Sequence, residues 1–286
     1  MRKVSLNLRK KAYLPGDRIE GFVTVSTDEY FECNRVVLSI KGLEQSRVTE
    51  GSGDTRRVYS EKKHHIDKRV ELVGSTGIQA GETRFPFRSV LPANIPGSFQ
   101  GINGEIDYKL EAKAEISWAI DPKAEQKIAI GMKQETPNEQ SVHANLDDDG
   151  VRLLSVQLSS DLVRLGRDYP IKLMVSSEAK IRGVRIELVY HEFVSPEGHE
   201  STRKKTLVKL FLEDLELPRE MWIDATIGTQ DGWLQPFKSE LIETYYKLKA
   251  TLDIAWRLDK TIWIPLKITH EPSQNVDKDQ FEFGFY

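Results

Sequence analysis

The densest chemistry in the sequence lies between Arg56 and Arg69. Arg56, Arg57, Lys62, Lys63, Lys68 and Arg69 stand against only Glu61 and Asp67, six cations less two anions or a local +4, with His64 and His65 between them. Ammonium and guanidinium groups make short, charge-assisted bonds to carboxylate and phosphate oxygens, so this stretch suits an acidic or phosphorylated tail, or an anionic lipid surface. The same residues also describe a solvated hairpin whose charged edge discourages edge-to-edge pairing. A second candidate is aromatic. Trp222, Trp233 and Phe237, with Leu234, fall among Gly228, Gly232 and Pro236, in a stretch that reads as a loop. Aromatic side chains there either anchor a partner or close one end of a core. Both readings stay open.

Metal and catalytic constellations fail on spacing. Neither His64-His65 nor His191-Glu192 has the spacing of a metal-ligand pair on a helix, and no cysteine cluster supports them. The run Asp147-Asp148-Asp149 lacks the alternating ligands of a calcium loop. There is no nucleophile elbow, phosphate loop or dinucleotide fingerprint, and Cys33 has no histidine near it in sequence. The expectation is a protein with no catalytic residues, no metal and no cofactor.

The elements that position these residues are legible from one stretch used twice. Residues 108–118 read YKLEAKAEISW and residues 246–256 read YKLKATLDIAW, identical at six of eleven positions and offset by 246 − 108 = 138. Apolar residues alternate strictly in both, a period of two that puts one set on the buried face of a β-strand and the charged set on the other. That periodicity extends to Trp118 and Trp256, so both are expected in the cores, where truncation to alanine would cost about 3–5 kcal/mol. Further echoes join Leu14-Pro15-Gly16-Asp17 to Leu165-Gly166-Arg167-Asp168, and Leu91-Pro92 to Leu217-Pro218. The second copy is longer by 12 residues, around 222–237 (28 residues from Pro218 to Tyr246 against 16 from Pro92 to Tyr108). Nowhere is there a sustained helical period. The expected fold is all-β: two tandem immunoglobulin-like β-sandwiches at 1–133 and 151–286, joined by a polar linker at 134–150.

Composition narrows the setting. Net charge is −3 over 286 residues, +2 in residues 1–145 (22 basic, 20 acidic) and −5 in the rest (19 basic, 24 acidic). Neither half is basic enough to mark a nucleic-acid binder. A single cysteine excludes an internal disulfide. No apolar leader follows Met1, and no run approaches the length of a membrane span. The expected location is the cytoplasm.

Several motifs together resemble the arrestin family. They are Tyr13-Leu14-Pro15-Gly16-Asp17-x-x-x-Gly21, the strand Val36–Ile40 running to Gly42-Leu43-Glu44, Phe85-Pro86-Phe87 leading to Leu91-Pro92-x-x-x-Pro96-x-Ser98, and Ile106-x-Tyr108-x-Leu110. The second half looks like the C-terminal arrestin domain. The resemblance implies a non-enzymatic scaffold or adaptor that binds proteins, including cytoplasmic parts of membrane proteins, with peripheral membrane association as a further option. It also places Glu50-Gly51-Ser52-Gly53-Asp54 near a partner-inserting loop. No Pro-Pro-x-Tyr motif and no clathrin-binding tail is recognisable. The relatives in view are the arrestin-fold retromer subunit, bacterial sporulation-control proteins and prokaryotic arrestin-like proteins. Two rival readings remain: a carbohydrate-binding β-sandwich using surface Trp233, and a structural subunit of a larger assembly. Finally, Phe281, Phe283 and Phe285 alternate before Tyr286, which reads as a strand that either completes the second sandwich or pairs with an exposed sheet edge.

Overall fold

A computed structural model describes residues 2–132 and 137–270. The aromatic C-terminal stretch 281–286, expected as a strand, lies outside the described residues. The described chain divides into two compact units: residues 2–132 with the short turn 195–199, and residues 137–194 with 200–270.

The first unit contains β1 (Arg2–Leu8), β2 (Ala12–Tyr13), β3 (Arg18–Thr27), β4 (Phe31–Cys33), β5 (Arg35–Glu50), β6 (Arg57–Val73), β7 (Thr76–Ile78), β8 (Gly81–Val90), β9 (Phe99–Gln100), β10 (Gly104–Glu115) and β11 (Lys123–Ile130). One sheet has the order β1-β3-β8. The other runs β2-β11-β10-β5-β6, with β9 also paired to β10 and a small β4-β7 ladder apart. The second unit contains β12 (Val142–Asp148), β13 (Val151–Leu158), β14 (Leu162–Arg164), β15 (Asp168–Val175), β16 (Ile181–Val194), β17 (Ser201–Glu213), β18 (Trp222–Gly228), β19 (Ile242–Ile254) and β20 (Lys260–Thr269). Its sheets are β12-β13-β15-β18 and β14-β20-β19-β16-β17. Each unit is a β-sandwich.

The duplicated stretch is the central strand of the larger sheet in both units. In β10, Ile106, Tyr108, Leu110, Ala112 and Ala114 are buried, while the alternating charged residues lie on the outward face. Leu110 faces Ile40 of β5 and Tyr108 faces Ile128 of β11. In β19, Leu248 sits between Leu188 of β16 and Ile264 of β20. Full burial of one such leucine contributes about 1.5–3 kcal/mol.

The two tyrosines that open the repeat are buried, and a buried phenol needs a partner. Tyr108 Oη donates to the Pro96 carbonyl at 2.7 Å, and Tyr246 Oη donates to the Leu234 carbonyl at 2.6 Å. Both reach twelve residues upstream (108 − 96 and 246 − 234), although the chain segments they catch differ in sequence. Burial pushes the Tyr108 phenol well above its usual pKa, so it stays a donor. Its ring lies against Gly42, where a Cβ would come within 2.4 Å of Cε1, so that close approach requires glycine.

Two expectations are corrected. The stretch 134–150 is not simply a linker, because Val142–Asp148 forms β12, antiparallel to β13 with Val142 opposite Leu158. Val142, Ala144 and Leu146 pack on the second core, and two of the three acidic residues that resembled a linker are neutralised, Asp147 by Arg152 and Asp148 by Lys260. Trp118 and Trp256 are not buried. Both are fully exposed, each beyond the end of its strand.

Candidate partner-binding surfaces

Those two tryptophans crown matching hairpin tips. In the first unit, the β10–β11 turn is held by the Ile116 N–H, which donates to Asp121 Oδ1 at 2.8 Å. In the second, the Ile254 N–H donates to Asp259 Oδ1 at 3.4 Å, both atoms displaced by the same 138 residues. The chain reverses with Trp118 at φ 60° and Trp256 at φ 62°, a left-handed conformation unusual for a bulky side chain. Ile120 and Leu258 stand beside them, almost fully exposed. Each unit therefore presents a tryptophan and an aliphatic side chain to solvent on a strained turn. Exposure and strain together exclude a packing role.

Below the apolar tips, the carboxylates are paired. Arg35 Nε and Arg69 Nη2 each donate to Glu115 at 2.5 Å, and Lys113 holds Asp121 at 2.7 Å. The Arg35 hydrogen bond draws the Glu115 carboxyl below its usual range, and the Lys113 bond does the same for Asp121. In the second unit, Arg182 and Arg185 hold Asp253, and Arg185 also approaches Asp259 at 3.8 Å.

The basic stretch is less of a patch than its composition suggested. Arg56 follows the short turn at 53–55, and Arg57 to Arg69 lie along β6, which is an edge strand. Arg69 is committed to Glu115, Lys68 donates to Ser89 Oγ at 3.1 Å, and His65 Nε2 meets the buried Glu44 at 2.7 Å. Lys62 and Lys63, as neighbours on a strand, project to opposite faces. Arg56, Arg57, Lys62 and His64 are exposed and make no ion pair among the described residues. They are the part of the stretch left to meet an anion.

The aromatic candidates also separate. Trp222 is half-exposed on β18, edge-on to His143 with ring centroids 5.8 Å apart. Phe237 is partly buried, and its backbone N–H donates to Thr244 Oγ1 at 3.0 Å. Trp233, only 6% exposed, belongs to the core of the second unit and is not a surface anchor. The sugar-binding reading needed that side chain at the surface. The metal pairing of His191 and Glu192 fails as well, because strand alternation on β16 sends the two side chains to opposite faces. Among the described residues there is no group of three or more histidine, cysteine or acidic side chains able to hold a metal. Cys33 is buried, its thiol donates to the Arg35 carbonyl at 3.3 Å, and burial pushes its pKa up, away from a reactive thiolate.

Residues 2–134 match the model of the arrestin (or S-antigen) N-terminal domain. The first unit is thus similar to an arrestin N-terminal domain. The chain is 27% identical over 132 residues to arrestin domain-containing protein 17 of Caenorhabditis elegans, covering 42% of this chain and 31% of that one. It is 24% identical over 152 residues to arrestin domain-containing protein A of Dictyostelium discoideum, 46% of this chain and 26% of that one. Human arrestin domain-containing protein 1 matches at 28% over 110 residues, 38% of this chain and 24% of its own length. The chain thus aligns with about a quarter to a third of each of these relatives. No helix among its described residues is long and apolar enough to cross a membrane.

Sequence reasoning missed the tips, although their signal was present. The aspartate three residues after each tryptophan, Asp121 and Asp259, is a turn residue. The alternating pattern should have ended before Trp118 and Trp256 rather than on them.

Proposed function

We propose that this chain is a non-enzymatic adaptor that binds protein partners in the cytoplasm, on the surface of a membrane. The observation that carries the reading is the exposed pair Trp118 and Ile120, repeated as Trp256 and Leu258. Large apolar side chains held in water on a strained turn lower stability, so their presence in both units supports a use outside the fold. Tryptophan prefers the boundary between headgroups and acyl chains, where its ring is buried and its indole N–H stays hydrated. The similarity of the first unit to arrestin domains supports the adaptor role, and the free part of the basic stretch, with Arg57 and Lys62, would meet an acidic or phosphorylated partner segment.

The test is sedimentation with anionic phosphatidylserine vesicles, coupled to capture from membranes of the native host. The intact chain should pellet with vesicles and recover membrane proteins. A Trp118→Ser, Trp256→Ser double variant should remain in the supernatant and lose them. Equal pelleting of both chains, or no pelleting of either, would overturn the membrane reading.

A further inference from the structure

The outward face of the larger sheet in the second unit carries a cluster that the adaptor reading does not use. His191 lies on β16 opposite Tyr245 of β19 and Lys204 of β17. Although it is on the outward face, it is 3% exposed, because two aromatic rings cover it. Tyr245 stacks on the imidazole with centroids 4.7 Å apart, and Trp263 of β20 meets it edge-on at 5.6 Å. Neither imidazole nitrogen has a hydrogen-bond partner among the described residues, which is costly for a buried polar ring.

Three ammonium groups surround the rings. Lys204 Nζ lies 5.2 Å and Lys249 Nζ 5.6 Å from the Trp263 ring centre, and Lys247 Nζ lies 5.1 Å from that of Tyr245. Lys249 is already neutralised by Glu187 at 2.9 Å. Lys204 and Lys247 form no ion pair among the described residues. Two uncompensated cations therefore flank a buried neutral ring that lacks an acceptor.

We propose that this face binds a carboxylate-rich segment of a partner protein, with one carboxylate at Lys204 and another at Lys247. The two ammoniums are held over different rings, which suits two separate single charges rather than one compact dianion. A carboxylate seated there offsets the positive charge beside the buried imidazole without touching it. Trp263 and Tyr245 give the peptide an apolar floor, as aromatic and cationic side chains do at the centres of interfaces. The inference deepens the adaptor reading and rests on it only for the origin of the peptide.

The experiment titrates the full chain in solution, without membranes, with a short Glu-Ser repeat peptide and a Lys-Ser control, followed by calorimetry and by the His191 ring signal in NMR. Saturable binding of the acidic peptide alone is expected. Lys204→Ala with Lys247→Ala should weaken it about tenfold or more, the scale of losing one charge-assisted contact. Lys3→Ala with Arg18→Ala, two exposed cations of the first unit outside both candidate surfaces, should leave it unchanged. The imidazole should also take up its proton at higher pH once the peptide is bound. Equal weakening by both double variants would reveal nonspecific charge attraction and overturn the site. So would saturable binding only of phosphoserine peptides or of phosphoinositide vesicles, or no binding at all. Because no vesicle is needed, failure of the tip variants on membranes leaves this result independent.

Discussion

Replacing Trp118 with glycine should leave the fold slightly more stable, where a core tryptophan would cost several kcal/mol. The ring touches solvent on all sides, so its removal forfeits almost no buried surface. At φ 60° an L-residue stores about 1–2 kcal/mol of backbone strain, which glycine relieves. Against this, glycine's freer unfolded chain returns about 0.5–1 kcal/mol. The balance is a gain of about 0–1 kcal/mol. Trp256→Gly at φ 62° should behave alike, since the turn is the same. Urea unfolding followed by circular dichroism, with the midpoint read for each variant and the double variant, measures the effect. A loss above about 1 kcal/mol would refute the reasoning, because it would mean that the indoles pack against something. The same variants should lose vesicle binding, which separates the fold's needs from the tip's use.

Tyr108→Phe and Tyr246→Phe each remove a part-buried hydrogen bond, to Pro96 and Leu234, and should cost about 0.5–1.5 kcal/mol by thermal or urea unfolding. Gly42→Ala forces a methyl against the Tyr108 ring and should destabilise the first unit by about 1–3 kcal/mol, with Gly42→Ala in a Tyr108→Leu background costing less than the sum. Burial first, then the nearby Lys204 and Lys247, pushes the His191 pKa down to about 4, against 6.5 for the unfolded chain. Between those values the unfolded state binds the extra proton, so stability should rise as pH climbs from about 4 to 6.5 and be lost on acidification. His191→Leu should flatten that part of the curve without loss at neutral pH; an unchanged slope would show that other groups dominate.

The alternation in residues 108–114 and 246–252 made both central strands, their register faces and the all-β class readable before any coordinates. It works because a half-buried strand has only one way to satisfy its apolar set. The same rule failed at its ends. Trp118 and Trp256 continue the parity but lie past the point where Asp121 and Asp259 turn the chain, and turn chemistry outranks hydrophobicity there. At residues 142–146 the opposite error occurred, since polar neighbours hid the short alternation of Val142, Ala144 and Leu146. The basic stretch was visible as composition, but which of its members are free depends on Glu44, Ser89 and Glu115, which are distant in sequence. The cluster around His191 was out of reach for the same reason, being assembled from four strands.

In each unit an early two- or three-residue strand lies parallel to the last described one: Ala12 beside Ala129 in the first, Leu162 beside Lys267 in the second. The seam joins residues 129 − 12 = 117 apart in one unit and 267 − 162 = 105 apart in the other. During synthesis at about 5–20 residues per second, the opening strands of each unit wait several seconds for their partner to leave the ribosome. Until then the sandwich stays unsealed, with apolar strand faces exposed to chaperones and to one another. Closing such long loops is slow even afterwards, as loop entropy must be met before the seam rewards it. The parallel seam of each unit thus waits for its last described strand, and a ribosome that stalls just before Lys123 or Lys260 releases a chain that cannot close it.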